Sequence, residues 1–125
     1  MISEADILLL HQFSVADYGG ATEIRDHNLL LSAINRPFQT FAGNELYPGP
    51  YEKAAALGES LIINHPFADG NKRTAMLAML AFLLENNIEV VASNDDLYIF
   101  VLKMATGENR YQEIVDWLKS NTRLV

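Results

Sequence analysis

A run of ten consecutive apolar residues, from Ala75 to Leu84, is the feature that most restricts how this chain can fold. The run consists mainly of alanine, leucine and methionine, which all favour the α-helix. Apolar side chains would lie on every face of this helix, so it must be buried among other elements rather than rest on the surface. It is about half as long as a membrane-spanning helix has to be. We predict a buried central helix over approximately residues 71–87.

Hydrophobic periodicity and capping residues predict five more helices around this one. They run roughly from Glu4 to Tyr18, from Asp26 to Pro37, from Tyr51 to Asn64, from Ser93 or Asn94 to Gly107, and from Tyr111 to Ser120. Residues 38–50 are rich in glycine, proline and aromatic residues, which indicates a loop or a short hairpin. Ile88 to Val91 is a candidate for one short extended segment. The predicted fold class is all-α, a compact bundle of about six helices, and a single domain over residues 1–125 is expected.

Composition excludes several classes of function. The chain has no cysteine, which rules out disulfides, thiol nucleophiles and zinc-thiolate sites. Its formal net charge of −7 argues against direct binding to nucleic acid, which draws on clustered lysine and arginine. Neither a basic nor an apolar signal region follows Met1, so we expect no secretory signal, no membrane association and a cytoplasmic location.

Polar side chains concentrate between two of the predicted buried helices. His65, Asp69, Asn71, Lys72 and Arg73 all fall within nine positions. The start of a helix offers free backbone N–H groups and the positive end of the helix dipole, so residues 70–73 would form a cradle for an anion. Gly70 lets the backbone approach such a ligand closely, and the charges of Lys72 and Arg73 suit phosphate groups. The pattern predicts a phosphate-binding loop.

Asp69 and His65 add chemistry to this loop. The Asp69 carboxylate precedes the cradle, where Mg²⁺ prefers to bridge one carboxylate and nucleotide phosphates. His65 can act as a general base, because histidine is mostly neutral at cellular pH. Each residue taken alone has a structural alternative, since Asp69 could simply cap the next helix and the cations could form a solvated first turn. His11 has no acidic or histidine partner at metal-binding spacing and His27 follows a helix cap, so neither is assigned a role in the chemistry.

The string HPFADGNKRTA, from His65 to Ala75, resembles the motif of Fic proteins. That motif is His-Pro-Phe, two residues of which the second is acidic, Gly-Asn, a variable position and Arg. The string is still more similar to the Doc (death on curing) branch of the Fic/Doc superfamily, whose loop ends in Asn-Lys-Arg-Thr. Three more Doc-like segments appear in the expected order along the chain: Tyr18-Gly19-Gly20 and Arg36-Pro37 before this string, and Ala105-Thr106-Gly107-Glu108 after it. Together these segments favour the functional interpretation over the structural alternatives.

The resemblance implies a role for each residue of the loop. His65 resembles the base that takes the proton from a target Ser, Thr or Tyr hydroxyl, and Asp69 resembles the Mg²⁺ ligand. The implied phosphate-binding residues are Asn71, Lys72 and Arg73, with help from the backbone amides of Gly70 and Asn71. Phe67 resembles an anchor of the loop in the core. By position alone, residues 38–47 correspond to the flap that aligns a target peptide.

Two departures from nucleotidyl-transferring Fic enzymes bear on the reaction. This chain has Lys72 where they have glycine, and Met76 where they have a second arginine. In Doc-type toxins the same change accompanies an inverted nucleotide, so that the γ-phosphate reaches the acceptor. The resemblance therefore implies a toxin that phosphorylates a protein hydroxyl with ATP and Mg²⁺. Elongation factor Tu is the expected target, and Lys72 with Arg73 would neutralise the charge that develops during transfer.

The resemblance also implies a separate antitoxin. Some Fic proteins restrain themselves through an internal Ser/Thr-x-x-x-Glu-Gly/Asn motif, and this sequence does not contain it. Two alternatives to the kinase remain: transfer of AMP or another nucleotide, and a catalytically silent binding module of a toxin–antitoxin complex. The presence of His65, Asp69, Asn71 and Arg73 together argues against the silent module.

Overall fold

The computed structural model describes residues 2–16 and 20–125, which form six α-helices and two small antiparallel strand pairs. The helices are α1 (Glu4–Ala16), α2 (His27–Asn35), α3 (Pro50–Asn64), α4 (Asn71–Glu85), α5 (Asn94–Thr106) and α6 (Tyr111–Ser120). The strands are β1 (Thr40–Phe41), β2 (Asn44–Glu45), β3 (Ile88–Val90) and β4 (Thr122–Leu124). The predicted all-α class with about six helices is confirmed. Among the described helices, none combines the length and the hydropathy needed to cross a membrane.

The first two helices begin at the predicted caps. Ser3 and Asp6 form a reciprocal capping box, in which the Ser3 N–H donates to Asp6 Oδ2 (2.9 Å) and the Asp6 N–H donates to Ser3 Oγ (3.2 Å). The Asp26 carboxylate caps α2 by accepting from the Leu29 N–H at 3.0 Å. Helix α1 is described as far as Ala16, and the predicted end at Tyr18, with Gly19, lies outside the described residues.

The segment between α2 and α3 contains the predicted hairpin. After α2, a 3-10 turn at Arg36–Phe38 includes Pro37, which ends the α-helix because proline cannot continue its hydrogen bonds. Strands β1 and β2 then pair through Thr40 with Glu45 and Phe41 with Asn44. The two turn residues between them have positive φ, as a two-residue hairpin turn requires (53° and 81°). We refer to residues 38–47 as the flap.

Helix α4 is largely buried, as predicted, but it shares the centre of the packing with α3, which contacts α2, α4, α5 and α6. The buried residues of α4 include Ala75, Ala78, Met79, Phe82 and Leu83, and it packs against α1, α3, α5 and β3. Helices α3 and α4 approach so closely that a Cβ atom on Gly58 would lie 2.3 Å from Met79 Sδ. The helix ends at Glu85 rather than near residue 87, and burial does not extend to every face, because Leu84 in the last turn is 59% exposed.

Every helix contributes to one cluster of buried apolar side chains. Its members include Ile7, Leu30, Leu57, Met79, Phe100 and Ile114, one from each helix in turn. The expected extended segment is present as β3, but it pairs with β4, a strand that the sequence did not predict. The cap of α5 is Ser93, whose Oγ accepts from the Asp96 N–H at 3.1 Å, and Gly107 ends that helix in the left-handed conformation (φ 84°).

Candidate active site

The loop between α3 and α4 turns sharply at both of its ends. His65 follows the last residue of α3 in the left-handed conformation (φ 50°, ψ 54°), and Gly70 begins α4 in the same region (φ 78°, ψ 16°). A Cβ atom on Gly70 would also lie 3.1 Å from Val15 Cγ1 of α1. Both the backbone conformation and the close approach of α1 therefore require glycine at position 70.

A short segment before α2 holds the first half of the loop by backbone hydrogen bonds. The N–H groups of Arg25 and Asp26 both donate to the Pro66 carbonyl, at 2.7 and 3.0 Å. The Ala68 N–H donates to the Glu23 carbonyl at 3.1 Å. These bonds fix the loop backbone on either side of the buried Phe67 ring.

The Arg25 side chain fixes the backbone of His65 itself. Its Nε donates to the His65 carbonyl at 2.7 Å, and its Nη2 donates to the Asn64 carbonyl at 2.8 Å. The last carbonyls of a helix have no partner within the helix, so the guanidinium satisfies two of them at once. Sequence reasoning missed Arg25, because nothing in the local pattern shows that it reaches a helix end about 40 positions away.

Asn71 braces the loop from inside. Its Nδ2 donates to the Phe67 carbonyl at 2.9 Å, and its Oδ1 accepts from the Phe67 N–H at 3.0 Å. The Asn71 side chain is buried, and Phe67 is fully buried as a loop anchor should be. Both ends of the amide are thus engaged within the loop, so the Asn71 side chain supports the loop backbone, and the predicted phosphate binding by Asn71 would have to use its backbone N–H.

His11, which the sequence left without a role, lies directly under the loop. Its Nε2 is 2.8 Å from the carbonyl oxygen of Asp69. Its ring stacks on Phe67 with 3.7 Å between ring centroids and an angle of 8° between the planes. The side chain is buried in this position.

The six predicted site residues line one open pocket of about 700 Å³. They are His65, Asp69, Gly70, Asn71, Lys72 and Arg73. The remaining wall is largely apolar and includes Ile62, Met76, Tyr98, Val101, Leu102 and Ala105. A volume of this size lies within the usual range for pockets that bind small molecules, about 300–1,000 Å³. The structure therefore brings the predicted polar groups together on one side of a cavity that can take a nucleotide-sized ligand.

The polar wall of the pocket favours an anion. Helix α4 begins at Asn71, and the preceding Gly70 has no side chain to cap the first-turn N–H groups. Residues 70–73 line the pocket, so the positive end of the helix dipole lies at its wall. Lys72 is exposed and Arg73 is half-buried in that first turn. The exposed Asp69 carboxylate accepts a long hydrogen bond from the Ala21 N–H, 3.4 Å from Oδ2. Cations and one carboxylate thus share the same wall.

Comparison with known proteins assigns this loop and its supporting helices to a family. The sequence model of the Fic/DOC family matches residues 1–83, which include α1 to α3, the loop and most of α4. The chain belongs to the Fic/DOC family. Within that family it is similar to Toxin Doc of Mycolicibacterium smegmatis (strain ATCC 700084 / mc(2)155), with 45% identity over 78 residues. That match covers 62% of this chain and 60% of the mycobacterial protein.

A second relative matches nearly the full chain. The protein named Protein kinase doc, from Escherichia phage P1, is 30% identical over 118 residues, which is 94% of this chain and 92% of the phage protein. The similarity therefore continues beyond the loop into α5 and α6. Both residues that depart from the nucleotidyl-transferring Fic pattern, Lys72 and Met76, line the pocket of this Fic/DOC chain.

A charge cluster around the buried Glu59 carboxylate anchors the flap of this family member. Arg36 Nη1 donates to Glu59 Oε1 at 2.8 Å and to Ser60 Oγ at 3.0 Å, while Arg36 Nε donates to Tyr47 Oη at 3.0 Å. Glu59 Oε2 also accepts from Arg110 Nε at 3.3 Å. Burial by itself lowers the pKa of Arg36, but the hydrogen bonds to Tyr47 and Glu59 outweigh it and the pKa is raised. Arg36 therefore stays charged and ties the end of the flap to α3.

Proposed function

We propose that this chain is a Doc-type toxin, a protein kinase that uses Mg-ATP to phosphorylate a hydroxyl group of a target protein. The proposal rests mainly on one observation: an exposed imidazole (His65), a carboxylate (Asp69) and the cationic start of α4 all line the same pocket. The name of the phage relative, which describes that protein as a kinase, supports the same reaction class. The family membership supports transferase chemistry at this loop.

His65 is the proposed general base. Its side chain is exposed at the rim, where a hydroxyl on another protein can reach it. The imidazole accepts the hydroxyl proton, the hydroxyl oxygen forms the new bond to the γ-phosphorus, and the bond from that phosphorus to ADP breaks. Arg25 and the left-handed backbone fix the position of the His65 main chain at the start of the loop, and the imidazole extends from that fixed point.

The first turn of α4 is the proposed phosphate site. The backbone N–H groups of Gly70 and Asn71 bind phosphate oxygens, and Lys72 with Arg73 neutralises the charge that develops during transfer. Asp69 is the proposed Mg²⁺ ligand, and its exposed carboxylate oxygens suit a cation that prefers few carboxylates and several phosphate oxygens. A Mg²⁺ ion held by Asp69 would withdraw negative charge from the phosphate groups.

The flap and the similarity to Doc toxins together suggest a protein target and an antitoxin. Arg36 ties the flap to α3, the helix that His65 directly follows. By its position in the sequence, the flap is the segment proposed to align a peptide of the target. By its similarity to Doc toxins, the proposed target is elongation factor Tu in the cytoplasm, and the consequence is arrest of translation and growth. The same similarity implies a cognate antitoxin.

Labelled ATP separates this kinase from the nucleotidyl-transferring alternative. Purified protein incubated with Mg²⁺ and elongation factor Tu should transfer label from γ-labelled ATP and none from α-labelled ATP. Lys72→Gly should lower γ-label transfer about 10- to 100-fold, since losing a hydrogen bond to a charged group costs about 1.5–3 kcal/mol. Lys119→Gly, on an exposed lysine that does not line the pocket, is the matched control.

Each other outcome of that assay would correct a different part of the proposal. Label from α-ATP on the acceptor would show nucleotidyl transfer and overturn the kinase assignment. No label from either position, on this target or in a whole-cell lysate, would favour the silent binding module. Transfer of γ-label to a lysate protein other than elongation factor Tu would keep the kinase and correct the target.

Growth of a bacterial host tests the toxin and antitoxin parts of the proposal. Expression of the chain alone should slow growth, and co-expression of a small partner encoded beside it should restore growth. We expect that partner to insert a helix, with a glutamate near Arg73, because Arg73 lines the pocket at the start of α4. His65→Ala is the control and should be harmless. Unchanged growth during expression of folded parent protein would contradict the toxin assignment.

A further inference from the structure

His11 is buried, polar and outside the pocket, yet it contacts the loop at two places. Its Nε2 lies 2.8 Å from the Asp69 carbonyl oxygen, and its ring lies flat against Phe67. Helix α1, which carries it, also brings Val15 against Gly70 and Ser14 against Thr74, whose hydroxyl oxygens are 3.1 Å apart. The first helix therefore supports the loop from below, and His11 is its polar contact with the loop backbone.

The partner of His11 determines which ring nitrogen carries a proton. A carbonyl oxygen can only accept a hydrogen bond, so Nε2 must be the donor in this contact. An imidazole protonated only on Nδ1 would place two acceptors 2.8 Å apart in a buried setting. The geometry thus requires a proton on Nε2.

The same contact sets the direction of the Gly70 N–H. The Asp69 carbonyl and the Gly70 N–H belong to one planar trans peptide, so they point in opposite directions. His11 holds the carbonyl oxygen on the side of α1 and Phe67. The N–H of Gly70 is therefore directed away from His11, and Gly70 is a residue that lines the pocket.

We infer that His11 is a positioning residue: its Nε2–H holds the Asp69–Gly70 peptide so that the Gly70 N–H and the Asp69 side chain are presented to bound phosphate and metal. This inference rests on the proposed function. It does not make His11 a catalytic residue, because the ring touches the loop and not the pocket. Stacking on Phe67 fixes the position of the His11 ring beneath the loop. The hydrogen bond from Nε2 fixes the orientation of the Asp69–Gly70 peptide plane.

Two substitutions separate the hydrogen bond from the stacking. His11→Phe keeps an aromatic ring against Phe67 and removes the donor, whereas His11→Gln keeps a nitrogen donor near the Nε2 position and removes the ring. His11→Phe should lower kcat/KM for ATP about 10- to 100-fold, since displacements of about 1 Å in a site have effects of this size. His11→Gln should stay within about threefold of the parent if one hydrogen bond is the main contribution. His27→Phe, on an exposed histidine that pairs with Glu4, is the control.

Nitrogen NMR on the parent protein tests the inference without any enzymatic activity. The imidazole of His11 should show a protonated Nε2, and addition of Mg-ATP should shift the Gly70 amide signal strongly in the parent and weakly in His11→Phe. A proton on Nδ1 alone would overturn the inference. So would a folded His11→Phe variant with parental kcat/KM and a parental Gly70 shift, or a His11→Gln variant no better than His11→Phe.

The NMR measurements keep this inference separate from the proposed function. A parent protein that transfers no phosphate, but shows the Nε2 proton and the Gly70 shift, would refute the kinase and retain the role of His11. If His11→Phe does not fold, the tautomer of the parent and the kinetics of His11→Gln still decide.

Discussion

Replacing His65 with alanine is expected to lower kcat for γ-phosphate transfer by about 10²–10⁴, the usual contribution of a general base. The fold should survive, because the His65 side chain is exposed and the loop is held by Arg25, Asn71 and His11 rather than by the imidazole. The measurement is single-turnover transfer from γ-labelled ATP, with circular dichroism to confirm the helices.

The left-handed backbone at His65 calls for a second variant. A φ of 50° is costly for alanine, whereas asparagine adopts this region more readily. His65→Asn should therefore be as inactive as His65→Ala while disturbing the loop backbone less. A parental rate in either histidine variant would show that His65 is not the base.

Asp69→Asn should also abolish transfer, and excess Mg²⁺ should restore little of that activity.

The loop residues could be predicted from sequence because they are contiguous. His65, Asp69 and Gly70 lie between two largely apolar helices, and residues 71–73 form the first turn of the second, so the chain itself places them together. The helix boundaries were predicted to within a few residues for a similar reason, since caps such as Asp26 and Ser93 act on their immediate neighbours. Interactions between residues close in sequence therefore determine both the loop and the helix boundaries.

The supporting residues could not be predicted because their contacts are made only in the folded chain. His11 contacts Asp69, 58 positions away in the sequence, and Arg25 contacts His65, 40 positions away. The residues around His11 and Arg25 in the sequence do not indicate these partners. Strand β4 is short and mostly exposed, so it lacks the alternation that reveals a longer strand. Strand β4 forms because its backbone pairs with that of β3, Ile88 to Val90.

One supporting residue did leave a signal in the sequence. Glu59 is the single charged residue between Ala54 and Ile63, in a helix whose other side chains there are small or apolar. A carboxylate in such a run is buried only when it is paired, so its presence indicates a cationic partner from elsewhere in the chain. The structure supplies two such partners, Arg36 and Arg110.

Replacing Glu59 with alanine should lower the free energy of unfolding by about 3–5 kcal/mol, the cost of removing one partner from a buried ion pair. The Glu59 side chain is 7% exposed and that of Arg36 is 24% exposed, so water can compensate only in part. Arg36 keeps its charge in the variant, because a guanidinium stays protonated in proteins whether or not it has an acidic partner. Urea unfolding followed by circular dichroism gives the difference directly.

Two further variants locate the source of this loss. Glu59→Gln keeps a hydrogen-bonding group of similar shape without the charge, so its unfolding free energy should fall between those of the parent and Glu59→Ala. Arg110→Gln removes a partner whose side chain is 63% exposed, and exposed pairs contribute about 0–1 kcal/mol, so its effect should be small. Equal losses in Glu59→Ala and Arg110→Gln would contradict the pairing with Arg36 as the main interaction.

The same cluster should link stability to target binding. Because Arg36 also donates to Tyr47 at the end of the flap, losing Glu59 frees the guanidinium to move and loosens the flap against α3. Glu59→Gln, measured at a temperature where it is fully folded, should therefore raise KM for the protein target more than KM for ATP. The pocket proposed to bind ATP is lined by the loop, by residues of α1, α4 and α5, and by Gly20 and Ile62, and neither Glu59 nor Arg36 contributes to it. Equal changes in both KM values would show that the flap does not position the target.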